Sequence, residues 1–257
     1  MSRPLLKYFV KKNWYLLAGF TGLLLLEFVI CIFMMNLIKG MTDKLLGGAP
    51  GLSEDAPVDG AYALSFISNL FPMYGVMFPM VFYIMTIFKV LSKPVDNTSL
   101  SAHLMTGMPR WKYIATAAVF VLGSIFAIFL SVFVVAGLCM LRWGQIDWVA
   151  WLNLNASFMF QSFAIASVCF FFAGTFAATK QGTGLAIGVP IVFVLLNMLG
   201  GYIKFFGYFT LIGWIDIEKV VAGTFGLWWL VDLVFLIVTG CFFVATLFMF
   251  KRKQLSI

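Results

Sequence analysis

Charge is what this sequence has least of. Asp, Glu, Lys and Arg together make up 11% of its 257 residues, against about 25% in a soluble domain. So few charges cannot cover the surface of a water-soluble fold this size. A cytosolic enzyme or a nucleic-acid reader is therefore excluded, even with a net charge of +7. There is one histidine, His103, which removes the His-Glu-x-x-His motif and every multi-histidine metal site. A Gly-x-Ser-x-Gly elbow is missing, and a serine–histidine pair would need His103, which falls in a loop. No Gly-Lys-Ser/Thr run exists, so there is no P-loop. Residues 174–180 (Gly-Thr-Phe-Ala-Ala-Thr-Lys) lack the second glycine before the lysine and read as a helix end. The four cysteines, Cys31, Cys139, Cys169 and Cys241, lack Cys-x-x-Cys spacing and lie inside apolar runs. They read as buried free thiols, with neither a disulfide framework nor a metal site.

What the chain has in excess is apolar sequence: 63% of its residues, gathered in six long blocks. A helix needs about 20 mostly apolar residues to cross the hydrocarbon of a bilayer. Residues 14–36, 64–88, 113–141, a stretch within 148–179, 182–203 and 225–250 all qualify, and the second to fifth contain no charge. Transmembrane strands would alternate in segments of about ten residues instead of running continuously. The expected fold class is therefore an all-α integral membrane protein with six transmembrane helices in a single domain. The third and fourth blocks exceed the minimum and are expected to tilt or to end in interfacial turns.

Basic residues give the orientation. With the N-terminus inside, the cytoplasmic side holds twelve Lys and Arg residues and the outer side five: Lys39, Lys44, Arg142, Lys204 and Lys219. Most acids, including Asp43, Glu54, Asp55, Asp59, Asp147, Asp216 and Glu218, fall outside. Both termini are thus expected in the cytoplasm, and the positive charge orients the chain in a membrane. The first block is too long for a signal-peptide core and no small-x-small cleavage site follows it, so it reads as retained.

The cytoplasmic stretch between the second and third blocks is the most informative. Pro94 is expected to break the continuation of the second helix. Asp96, Asn97 or Thr98 can cap a short helix that Gly107 and Pro109 end. Leu100, Leu104 and Met105 then share a face, and Arg110, Trp111 and Lys112 anchor the start of the third helix at the headgroups. Such a helix can rest on the bilayer or dock a cytoplasmic partner.

Here the chain resembles the permease subunits of type-2 ABC transporters. The resemblance rests on six spans with both termini inside, a basic amphipathic segment at 1–12, and the run Met-Thr-Gly-Met-Pro-Arg-Trp-Lys-Tyr at 105–113. That run is similar to the one closing the family's coupling helix. An outer re-entrant segment at 205–223, ending Val-Ala-Gly, and a closing Phe-Lys-Arg at 250–252 also match. Lys253 and Gln254 depart from the family, where an acidic residue often follows the basic pair.

The resemblance implies a type-2 ABC exporter fold in a bacterial cell membrane. It implies two copies of a cytoplasmic ATPase subunit, which hold ATP and Mg and perform the hydrolysis, with no cofactor in this chain. A second permease subunit, identical or related, would complete the pathway. The coupling helix in region 94–110 would seat on the ATPase through Asn97, Thr98, Leu100, His103, Leu104, Met105 and Arg110. Small permeases of this kind resemble exporters of membrane-active peptides, such as phenol-soluble modulins and bacteriocins. An amphipathic peptide or another small hydrophobic molecule is the expected cargo.

Inside the membrane, Glu27 and Asp232 fall in the outer half of the first and last spans. Intramembrane charges are functional candidates by default. Glu27 reads either as part of a proton or cation path or as a carboxyl buried between helices near Arg142 or Lys204. Asp232, close to Trp228 and Trp229, reads as facing headgroup water. Asn197, with Pro190 and Gly200-Gly201, makes the fifth span prone to bend, as Pro72 and Pro79 do the second. Gly184-x-x-x-Gly188 suits a tight helix crossing. Thirty Phe and fourteen Met suit a deformable apolar path. Two other classes stay open. An ion-coupled carrier would use Glu27 and Asp232, although no repeat relates the two halves. A membrane scaffold would leave the capped cytoplasmic helix without a role.

Overall fold

The computed structural model describes residues 2–35, 37, 60–96, 109–176, 180–200, 203–221 and 228–252. The expected coupling residues Asn97, Thr98, Leu100, His103, Leu104 and Met105, and the tail from 253, lie outside the described residues. Six helices carry the chain: α1 (Arg3–Phe33), α2 (Gly60–Ser92), α3 (Arg110–Met140), α4 (Trp148–Thr175), α5 (Lys180–Gly200) and α6 (Trp228–Arg252). Among the described residues there is no strand. Five of these helices are long and apolar enough to cross a membrane. α5 runs over 21 residues, and the apolar stretch Gly184–Gly200 lies within it. The chain is an all-helical, multi-pass membrane protein.

The basic stretch at 1–12 is not a separate element. It is the start of α1, admitted by a proline in the helix's first turn, where no intrahelical N–H is needed. Its amphipathic pattern is used all the same. Leu5 and Phe9 are buried while Lys7 and Lys11 face out, and the Phe9 ring meets Tyr113 of α3 edge-on at 5.6 Å. The main-chain N–H of Ser2 donates to Thr116 Oγ1 at 3.1 Å. α1 therefore lies along α3 from its first turn.

α4 is the central helix. Of its most apolar window 67% is buried, against 22% for α1 and 28% for α6. Its partners are α6, α5, α2 and α3. Gly174 lets α6 approach, since a Cβ there would lie 2.7 Å from Thr246 Cγ2. Phe71 of α2 forms the aromatic centre with Phe158 and Trp151 of α4 and Phe28 of α1, at ring distances of 5.0, 5.5 and 5.2 Å. Such pairs add about 0.5–1.5 kcal/mol each beyond burial. Intramembrane hydroxyls at Ser124, Ser131, Thr239 and Thr246 donate to carbonyls one turn back, which answers the lack of water in hydrocarbon.

Prolines shape α2 through two π-helical turns, Pro72–Val76 and Phe88–Ser92. Pro79 has no N–H for the carbonyl of Gly75 and its ring crowds that group, so the widened turn falls just before it. Pro94 stands in the same relation to Val90. The sequence predicts a break there, yet helix continues through Lys93–Asp96. The reason is Tyr113, whose hydroxyl donates to the Val90 carbonyl at 2.7 Å and replaces the missing N–H.

One end of the bundle gathers the end of α1, the start of α2 and the α3–α4 connection. Trp143 Nε1 donates to the Ile32 carbonyl at 3.2 Å, and Gly60 lies against the Gln145 carbonyl with no room for a Cβ. Asp147 Oδ1 caps α4 by accepting from the N–H groups of Val149 and Ala150. This is the end that the count of basic residues leads one to expect outside, and it is called the outer end below only as a label.

Candidate functional site

At the outer end the chain leaves α5 and folds back as a broken segment, 203–221, with short helical turns at Lys204–Gly207, Ile212–Trp214 and Ile217–Val221. Glycines permit the fold. A Cβ on Gly200 would lie 2.9 Å from the Gly207 backbone, and one on Gly213 would lie 2.6 Å from the Gly207 carbonyl. Side chains then pin the segment. Gln161, fully buried on α4, donates from Nε2 to the carbonyls of Leu211 and Ile212 at 2.9 and 3.2 Å. Thr210 Oγ1 donates to the Gly207 carbonyl and accepts from Gly213 N–H, both at 3.1 Å. The Trp214 ring stacks on Phe235 of α6 with centroids 6.0 Å apart. Lys219 pairs with Asp216 at 2.8 Å. Its hydrogen bond holds the Asp216 carboxyl below the usual carboxylate range.

Between this segment, α5 and the first π turn of α2 lie two adjoining cavities of about 420 and 300 Å³. Both are lined by Pro72, Asn197 and Ile212. The larger is walled by Phe158, Gly200 and Tyr208, the smaller by Met73, Met77 and Met198. The smaller cavity is apolar but for the Asn197 amide, while the larger adds polar surface beside Tyr208 and the glycines; together, in a few hundred Å³, they suit a small amphipathic group. No nucleophile–base pair lines either cavity among the described residues. Nor do the described residues hold any group of three His, Cys, Asp or Glu able to take a metal ion.

The sequence candidates divide. Asn197, expected to matter as a bend residue, sits at the junction of the two cavities. Glu27 is half-buried on α1, with the Tyr74 phenol and Cys31 close to its carboxyl. Arg142, one of its expected partners, instead lies over the Phe33 ring at 4.8 Å; the side chain of Lys204 is outside the described residues. Asp232 does not face headgroup water. It is 5% exposed, because Ser157 of α4 and the segment 214–220 cover it. Ser157 Oγ donates to Asp232 Oδ2 at 3.1 Å. Arg110 opens α3, half-buried, beside Trp111 and Lys112, whose ammonium stands 5.8 Å from the indole ring. Gly184 and Gly188 have open space where a Cβ would be, so none of the described helices uses them for a close crossing.

Reading the sequence missed Gln161 and Ser157. The available signal was their spacing: polar residues four apart in an apolar run mark one helix face that meets something polar.

Fold and cavity together define a multi-pass helical membrane protein with a largely apolar site near one end of the bundle. No family model, curated protein or solved structure matches the chain.

Proposed function

We propose that this chain is the transmembrane permease subunit of an ATP-driven exporter of the type-2 ABC kind, and that the Asn197 cavities belong to its cargo path. One observation carries the reading. α2 runs from the cavity wall, at Pro72 and Met73, to Lys93–Asp96 at the basic end. There the chain enters the stretch 97–108 that resembles a coupling helix. Movement of a docked 97–108 helix would pass along one element to the cavity, and the π turns within α2 and at its end give it places to flex. In this reading α5 also crosses the membrane, which makes six spans, and both termini are cytoplasmic. Separate ATPase subunits bind ATP and Mg. The apolar, methionine-rich walls suit amphipathic cargo such as a membrane-active peptide.

A second reading, an ion-coupled carrier, is favoured by one observation: Asp232 is buried and its Oδ1 has no hydrogen-bond partner. Purification of the tagged chain from its native membranes in mild detergent tests the choice. Co-purification of an ATPase is expected. Transport by the pure chain in liposomes without an ATPase would overturn the exporter reading.

A further inference from the structure

Asp232 is the buried charge that the exporter reading leaves without a task. It projects from α6 into the contact with α4 and the segment 214–220. One carboxyl oxygen has the Ser157 hydroxyl, and the other, Oδ1, has no hydrogen-bond partner. The carboxyl borders a small, partly open space of about 10 Å³ among Ser157, Trp214, Asp216 and Val220, about enough for one water.

The charges around it are accounted for. On the segment, Asp216 is paired with Lys219, and both are exposed; the Glu218 side chain is outside the described residues. α4 brings a neutral hydroxyl. α3, which also packs on α6, has no Asp, Glu, Lys, Arg or His from Tyr113 to Met140. An ionised Asp232 would thus sit in apolar surroundings with one neutral donor and a second carboxylate as its neighbour, and neither offsets its desolvation. A metal cation would need a shell of oxygens, whereas the space offers the Asp232 carboxyl, one hydroxyl and a carboxylate already held by lysine. A proton needs one oxygen.

We propose that Asp232, with Ser157, is a proton-binding site, and that the bound proton holds α6 against α4 and the segment 214–220. While protonated, the carboxyl is neutral and the three elements close over it. Loss of the proton puts a bare charge in the contact, draws water in, and loosens the floor of the segment that walls the Asn197 cavities. The site is a pH-controlled latch, whichever transport reading holds.

Infrared spectra of the chain, with whatever subunits co-purify, reconstituted across a pH series, test it. A carbonyl band from a protonated carboxyl is expected at neutral pH. Asp232→Asn should lose it, Glu27→Gln should keep the Asp232 contribution, and Ser157→Ala should shift it, since the hydrogen bond is gone. The last variant leaves the carboxyl in place and keeps the test decisive if Asp232→Asn folds poorly. Carboxylate bands alone at neutral pH would overturn the proposal. So would bleaching of the band when sodium replaces choline, which would make the occupant a metal cation. For the latch, a cysteine at Val220, 4% exposed, should gain maleimide reactivity several-fold over the same cysteine in Asp232→Asn as the band disappears. Equal reactivity in both backgrounds at every pH would refute the latch.

Discussion

Replacing Gln161 by leucine should release the segment 203–221 from α4. The buried amide makes two bonds to carbonyls of the segment, at 2.9 and 3.2 Å. A net hydrogen bond contributes about 0.5–1.5 kcal/mol in general, and about 0.6 on average between membrane helices. Two of them therefore come to about 1–3 kcal/mol. Against this, Gln161 Oε1 is buried without a partner, so leucine relieves one existing penalty while keeping similar bulk. The net loss should be about 1–2 kcal/mol, roughly a 5- to 30-fold shift in the equilibrium. Gln161→Glu should be worse, because it keeps the oxygen, removes the donors and adds a charge or a proton. Denaturation in mixed detergent micelles reads the stability. Labelling of a cysteine at Ile212, 8% exposed in the native chain, reads the local opening. Stability within experimental error of wild type, with Ile212 still protected, would refute the claim that this amide holds the cavity wall.

Tyr113→Phe should cost about 1–3 kcal/mol by leaving the buried Val90 carbonyl without its donor, read in the same unfolding assay with helix content unchanged at the start. Glu27→Gln should change stability by about 1 kcal/mol and leave transport nearly intact, since the half-buried side chain keeps its size and a polar end beside Tyr74; loss of transport with normal assembly would show a direct role. Asp216 has its folded pKa lowered by Lys219. Its contribution to stability is therefore present above the unfolded value near 3.9 and lost as pH falls through the folded value. Lys219→Met should remove that acid-side dependence, and the effect should be small because the pair is exposed.

The helices were legible because apolar blocks of membrane length leave few alternatives. Their finer shape was not, because it depends on partners far away in sequence. Pro94 alone says that the helix stops; only Tyr113, on another helix, supplies the donor that lets it continue. Trp228 and Trp229 made Asp232 look interfacial, whereas its burial comes from Ser157 on α4 and from a segment folding back over it. Asn197 was visible as a polar residue in an apolar run. Its place between two cavities required Gly200, Gly207 and Gly213 to bring the segment back against α5, and no local pattern announces that return.

The central claim is that ATP hydrolysis by an ATPase docked on the 97–108 stretch moves the walls of the Asn197 cavities. A cysteine at Asn197, probed with membrane-impermeant maleimide in proteoliposomes holding the chain and its co-purified ATPase, tests it most directly. Reactivity should change when ATP and Mg are added, and the change should vanish in Leu100→Asp/Leu104→Asp while the chain still inserts. Reactivity that ignores ATP, or that responds equally in the double variant, would contradict the account.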